Sequence, residues 1–322
     1  MELGQLRALR EVQARGSIAA AALALHVTAS SVSQQLAALQ RKAGTALTYK
    51  LGRRTALTPA GLALCRAAAD VEVALARADA AVESFRESTT EPVSVAAFHS
   101  AGLAFFGPLA AMFADDAGPS LRFADQDVAQ QDFPALTADY DVVIAHRLPN
   151  SPPWPNTVAV TPLALEPLDI AVGAGHRLAG LTSLDPGALR GEQWVSVRQG
   201  FPLDGAIEMI GTLAGEEVDV AHRINEFFVA ASVVENGRYV SLMPRYTVNR
   251  SHFPRLVLIP LREPALGRHI DLLTRPEALE RGAVRRVIAE LGAIMAGLVD
   301  DAGNPGAAGT SGAAGLPATD TV

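Results

Sequence analysis

Three short apolar-periodic segments follow one another between Leu3 and Gly44 with only a few residues between them. That spacing constrains the fold more than any other feature, because helices joined so tightly must cross one another. The first runs from about Leu3 to Ala14, with Leu6, Leu9 and Val12 at helical spacing. Gly16 ends it, and Ser17 is placed to cap the next, which passes through Ala20, Ala21 and Leu23 to about Leu25. Its small side chains allow a crossing helix to come close. After His26-Val27, Thr28 can cap a third helix that reaches about Ala43 and stops at Gly44. On this helix Val32, Leu36, Leu39 and Ala43 share one face, while Ser30, Gln34, Ala37 and Arg41 share the other.

Charge separates the chain into two parts. The net charge of the 322 residues is −7, yet residues 1–66 carry nine basic side chains (Arg7, Arg10, Arg15, Arg41, Lys42, Lys50, Arg53, Arg54, Arg66) against Glu2 and Glu11. That is +7, which leaves −14 for the rest, and no Asp or Glu stands between Glu11 and Asp70. A basic head on an acidic body fits a protein that meets phosphates with one end only.

A short second helix, a tight turn and a third helix with a polar, acid-free outer face are the parts of a helix-turn-helix. The third is then the recognition helix. Gln34 and Gln35 can bond an adenine edge, and Thr28, Ser30, Ser31, Ser33 and Arg41 suit bases or phosphates. Each of these singly is equally at home as an ordinary solvated helix residue. Next, two strand-like pieces flank Gly52-Arg53-Arg54, which reads as a hairpin wing with arginines at its tip. Thr58 caps a further helix with Pro59 at its first position, continuing to about Phe85 or Arg86. Its alanine-rich stripe (Leu62, Cys65, Ala69, Val73, Ala76, Ala80, Val82) is hard to stabilise alone and predicts packing against a second copy.

Residues 3–61 resemble the LysR-type winged helix-turn-helix in order, spacing and landmarks. The match rests on Leu6, Gly16-Ser17, Ala20-Ala21, Leu25-His26-Val27, Val32-Ser33, Gln35-Leu36, Leu39, Gly44, Leu47, Arg53-Arg54 and Leu57-Thr58-Pro59-Ala60-Gly61. Departures stand at Ile18 for Phe, Ala29-Ser30 for Gln-Pro, Gln34 for Arg, Thr48 for Phe and Tyr49-Lys50 for Glu-Arg. The missing guanidinium at Gln34 implies an altered operator preference.

Beyond the Ser-Thr-Thr-Glu-Pro stretch at 88–92 the pattern changes. Strand-like runs occur at Val93–Phe98, Leu121–Ala124, Val142–Ala145, Leu168–Val172, Trp194–Val197, Tyr239–Met243, Leu256–Ile259 and His269–Leu273. Helical stretches such as Leu103–Ala114, Leu203–Leu213 and Phe227–Glu235 separate many of them, which predicts parallel α/β sheets, two small ones rather than one large. This region resembles, more loosely, the periplasmic-binding-protein-like effector domain of the same family. The resemblance rests on Leu168-Asp-Ile-Ala-Val, His176-Arg177-Leu178-Ala179, and Val233 to Gly237 before Val240 to Pro244.

The resemblances imply an α+β multidomain chain. Its parts are a winged helix-turn-helix DNA-binding domain (1–61), a linker and dimerisation helix (62–88) and a periplasmic-binding-protein-like α/β effector domain (91–301), while the Gly- and Ala-rich residues 302–322, without periodicity or bulk for a core, read as a disordered tail. The effector domain divides into lobe 1 (92–161 with 267–300) and lobe 2 (162–266), with a ligand cleft between. Ligands of open α/β sheets sit beyond the carboxyl ends of strands, at helix N-termini. That singles out His99, Ser100, Asp127, His146 with Arg147, the Gln199–Asp204 loop with Phe201 and Asp204, and Phe227 as a hydrophobic wall. Ser100 is equally readable as a plain N-cap, and His146 or Arg147 as salt-bridged within the lobe. The His-Arg pair points to an anionic effector.

Rival classes find little support. The seven histidines at 26, 99, 146, 176, 222, 252 and 269 show no metal-ligand spacing, and there is no GxSxG, P-loop or GxGxxG, so neither enzyme nor cofactor is expected. No apolar run approaches a membrane span. The Ser17–Val27 stretch behind Arg7 and Arg10 superficially resembles a secretion signal, but the amphipathic helix and basic loop that follow argue for a cytoplasmic chain, as does the lone Cys65. A solute-binding protein would need neither the basic head nor its wing. The expected partners are double-stranded DNA, a small-molecule effector and further copies of the chain, as dimer or tetramer.

Overall fold

Glycine and hydroxyl side chains set the helix boundaries of the head. The computed structural model describes residues 1–52, 54–83, 91–114, 118–248 and 252–303. Helix α1 (Leu3–Arg15) ends at Gly16, whose φ of 68° is left-handed. The Ser17 hydroxyl accepts from the Ala20 N–H at 3.1 Å and starts α2 (Ile18–Ala24). Thr28 does the same for Ser31 at 3.1 Å and starts α3 (Ala29–Ala43). These caps satisfy N–H groups that the first turn leaves without partners. Leu6, Leu9, Val12, Val32, Leu36 and Leu39 bury their side chains in one core with Leu47, Leu57 and Cys65.

Strands β1 (Thr48–Leu51) and β2 (Arg54–Leu57) form the antiparallel wing. Gln40 of α3 holds its root, its side-chain oxygen accepting the N–H groups of Leu47 (2.9 Å) and Thr48 (3.1 Å). Thr58 then caps α4 (Pro59–Glu83) by accepting from Gly61 N–H at 3.1 Å. Gly61 is required for space, since a Cβ there would lie 2.1 Å from the Leu47 carbonyl oxygen. The expected end of α4 near residues 85–86 lies outside the described residues, as does the tail from 304 onward.

The remaining elements are β3 (Val93–Ala97), α5 (His99–Met112), β4 (Leu121–Asp125), α6 (Phe133–Leu136), β5 (Val142–Arg147), β6 (Ala159–Gly173), β7 (Gln193–Ser196), α7 (Pro202–Ala214), β8 (Asp219–Arg223), α8 (Phe227–Asn236), β9 (Tyr239–Pro244), β10 (Leu256–Ile259), β11 (Gly267–Thr274) and α9 (Gly282–Gly303). The strand order is β4-β3-β5-β11-β6-β9-β7-β8, with β10 also on β6. β6 is 15 residues long. Its first half pairs with β11 and its second half with β9 and β10, so one strand runs through both lobes.

Several features differ from the sequence reading, one being β8, a strand by its parallel pairing with β7 although Asp219–Arg223 shows no apolar run. Only Leu168–Val172 of β6 reads as a strand, because residues 159–167 carry Pro162 and Pro167 and no continuous apolar run. The strands also join in one nine-stranded sheet rather than two small ones, because β6 pairs in both lobes, and that sheet is mixed. β3, β4 and β5 run parallel, as do β7, β8 and β9, but β6 and β11 are antiparallel to their neighbours because they carry the chain across and back. The first lobe buries Phe105 and Leu109 of α5 and Val284, Val287 and Leu291 of α9. The second is covered on one side by α7 and on the other by α8.

The head rests on the first lobe through ion pairs. Arg10 meets Glu277 at 2.9 Å, Glu11 meets Arg275 at 2.7 Å and Arg15 meets Asp139 at 2.8 Å. Arg7 is paired within the head's own neighbourhood, to Glu72 of α4 at 2.7 Å.

Candidate nucleic-acid interface and inter-lobe seat

One surface of the head remains free of acid. Thr28, Ser30, Ser33, Gln34 and Arg41 are exposed along α3, and Ser31 and Gln35 are half-buried and joined by a 3.3 Å bond from Gln35 Nε2 to Ser31 Oγ. Arg54 is exposed at the start of β2, beside exposed Tyr49 and Lys50 of β1, while Arg53 lies outside the described residues. The basic excess therefore divides. Arg7, Arg10 and Arg15 are spent on Glu72, Glu277, Glu11 and Asp139, whereas Arg41, Lys42, Lys50 and Arg54 remain on the α3 and wing side.

A second arrangement lies where the lobes meet. Glu166 of β6 and Arg268 of β11 are directly opposed in the antiparallel register. They are 0% and 4% exposed. Arg268 Nε donates to Glu166 Oε2 at 2.8 Å, and its Nη2 donates to Ser100 Oγ (3.1 Å) and Thr247 Oγ1 (2.8 Å). Glu166 Oε1 also accepts the backbone N–H groups of Tyr246 (2.8 Å) and Thr247 (2.6 Å). The guanidinium carbon stands 4.9 Å from the Phe98 ring centre and 5.6 Å from that of Phe227. Phe98 and Ser100 belong to the first lobe, and Thr247 and Phe227 to the second.

Ser100 is not the cap of α5; Phe98 occupies that position and the Ser100 hydroxyl turns inward to Arg268 and Thr247. His99 bridges the mouth, with Nδ1 on Asp125 and Nε2 3.6 Å from Glu226, the residue capping α8. Burial alone would lower its pKa. The bond to Asp125 and the charges of Glu226 and Asp127 outweigh that and hold it above the usual histidine value. Asp127 thus acts at the same mouth.

His146 is packed edge-on against Phe98 (4.7 Å) and Phe133 (5.4 Å). Desolvation first, and then repulsion by Arg268, push its pKa down to about 3, so it is neutral. Arg147 is held by Asp271 at 3.2 Å. Neither is offered to an anion. Phe201 and Asp204 do not join this cluster. Phe201 is exposed beside Arg198, and Asp204 is buried within the second lobe against Ser196 and Arg223, both at 2.8 Å. Burial opposes the Asp204 charge, but those bonds hold its carboxyl below the usual range.

Sequence reasoning missed Glu166, Thr247, Arg268 and Phe98. A charge inside a strand is the one local hint, and it names no partner. Among the described residues no cluster of histidine, cysteine and carboxylate groups could hold a metal ion. Cys65 is buried in the head core and its thiol is pushed up to about 12 by desolvation, which leaves it unreactive at neutral pH.

The winged helix-turn-helix with a two-lobed α/β sensor defines a transcriptional regulator with separate DNA-binding and effector-binding domains. Residues 3–62 match the bacterial regulatory helix-turn-helix protein, lysR family, and residues 86–296 match the LysR substrate binding domain. The chain belongs to the LysR family. It is 26% identical over 289 residues to a probable nitrogen assimilation transcriptional activator of Synechococcus elongatus, spanning 88% of this chain and 92% of that protein. Its fold is similar to a full-length OxyR variant from Pseudomonas aeruginosa, with TM-score 0.60, 19% identity and coverage of 92% of this chain and 94% of that one. It is also similar to HinK, a LysR family regulator of Pseudomonas aeruginosa, with TM-score 0.54, 18% identity and coverage of 91% and 98%.

Proposed function

We propose that this regulator reads a two-part operator as a homo-oligomer, with α3 in the major groove and the wing on the flanking backbone. It functions as a switch without enzymatic activity, in the cytoplasm where its DNA is. The observation that carries the reading is the acid-free polar face of α3, continuous with the basic wing, while the other arginines of the head are consumed elsewhere. Thr28, Ser30, Ser31, Ser33, Gln34, Gln35 and Arg41 supply the groove contacts, and Arg53 and Arg54 the phosphate or minor-groove contacts. The working division is 1–61 for the head, 62–88 for the linker helix, 91–301 for the sensor and 302–322 for a tail.

Pairing through α4 has support in its outward face. Cys65 and Ala68 are taken up by the head core, and Ala76 and Ala80 face the 276–280 turn of the first lobe. Val71, Leu75 and Val82 remain exposed at near-helical spacing. Effector binding is assigned to the cleft around His99, Ser100, Asp127 and Phe227, with His146 behind it. A pool of random duplexes selected on the full chain should yield one motif with two related halves. In the same selection Gln34→Ala should change the base preferred at one position per half, worth about 1–3 kcal/mol. Selection that enriches no motif would overturn the reading.

A further inference from the structure

The inter-lobe cluster has the composition of a cation site. It brings together one fully buried carboxylate, two hydroxyls and two aromatic faces, and the group seated among them is a guanidinium of the chain itself. The carboxylate does not depend on that guanidinium for its position. Its Oε1 is held by two backbone N–H groups of the second lobe, so the negative pole stays in place if the cation leaves. Phe98 and Phe227 approach from opposite lobes, and a cation between ring faces is drawn to both. Two neighbouring groups of the first lobe offer the seat little competing charge, because His146 is neutral and Arg147 is ion-paired with Asp271. At the mouth, Asp125, Asp127 and Glu226 surround His99, so carboxylates outnumber cations there as well. The free space left beside Ser100, Phe227 and Thr247 is about 10 Å³, room for one water at most. The seat is full.

We infer that the seat between the lobes is a guanidinium site, filled in the resting chain by Arg268, and that what can replace Arg268 there is a guanidinium-type cation rather than a carboxylate. This rests on the reading of the cleft as the effector site. Contacts from both lobes then favour closure with no small molecule present, since the ligand is tethered on the hinge strand β11. Tethering also gives Arg268 a high effective concentration, so a free cation competes poorly against it.

The test empties the seat in the full chain. Arg268→Ala should lower the melting temperature by several degrees. Ethylguanidinium at low millimolar concentration should restore most of that loss saturably, while the neutral isostere N-ethylurea and acetate should not. Wild type should be unmoved by all three. Adding Phe227→Leu should weaken the ethylguanidinium response several-fold, because one face of the cage is reduced. If Arg268→Ala does not fold alone, the yield on refolding with ethylguanidinium against N-ethylurea reads the same property. Equal effects of cation and urea, rescue by acetate, or no rescue of either variant would overturn the proposal. Operator selection by wild type is independent of this outcome, so failure here with selection intact refutes the cation seat and leaves the DNA-binding reading standing.

Discussion

Gly61→Ala is a substitution whose sign the structure reverses. In an ordinary helix interior the change from Gly to Ala stabilises by about 1 kcal/mol. Gly61 sits in the first turn of α4 against the root of the wing, and an added Cβ would lie 2.1 Å from Leu47 O, 3.0 Å from Leu47 C and 3.2 Å from Leu57 Cβ. Carbon and carbonyl oxygen approach no closer than about 3.3 Å in comfortable contacts. The backbone must therefore retreat by roughly 1.2 Å, and backbone cannot rotate away as a side chain can. That same carbonyl accepts the Thr58 N–H at 3.0 Å, so the retreat also strains the bond that joins wing to helix. Overpacking costs about 1–3 kcal/mol and the weakened bond about 1 kcal/mol, against the helix gain of about 1 kcal/mol. The net loss is about 1–3 kcal/mol. Hydrogen exchange read on peptides of α1 to α3 resolves the head from the sensor, which a single melting curve does not. Exchange limited by opening of the head should run roughly 5- to 150-fold faster in Gly61→Ala, by the relation of 1.4 kcal/mol to a factor of ten. Unchanged or slower exchange would refute the steric argument.

Three further outcomes are expected. Replacing Arg53 and Arg54 together with Ala should reduce the slope of log K against log salt by up to about two per wing, and an unchanged slope would remove the wing from the phosphate contacts. Val71→Glu with Leu75→Glu places charge on the outward stripe of α4 and should give monomers by sedimentation with loss of operator binding; oligomers that persist would place the interface elsewhere. His99 has its folded-state pKa above the ordinary 6.5, so its stabilisation is complete below that value and is lost as pH rises through the higher, folded-state one. His99→Gln should flatten melting temperature against pH in that window, and an identical slope in variant and wild type would show that His99 does not tie Asp125 to Glu226.

Local chemistry made the head legible. Ser17, Thr28 and Thr58 cap helices through bonds to N–H groups three residues on, and Gly16 and Gly44 stop helices by adopting positive φ. Such interactions depend only on near neighbours, so residue order determines them. The apolar stripe of α3 follows from the same short-range periodicity, and its polar face is what remains. The eight strand-like runs of the sensor were readable for the same reason, while β8 and the first half of β6 were not, since partners rather than apolar content make them strands. Tertiary structure decided what the charged groups do. Arg10 and Arg15 count towards a basic head in the sequence, yet they meet Glu277 and Asp139 of the first lobe. Ser100 reads equally as a cap or as a ligand contact, and its hydroxyl receives a bond from Arg268, 168 positions away. His146 reads as a cation and is neutral because Phe98, Phe133 and Arg268 enclose it. Periodicity reports which face of an element is apolar. The partner of a buried charge is set by the register of β6 on β11 and by where the chain crosses between lobes, and those exist only once the sheet has formed.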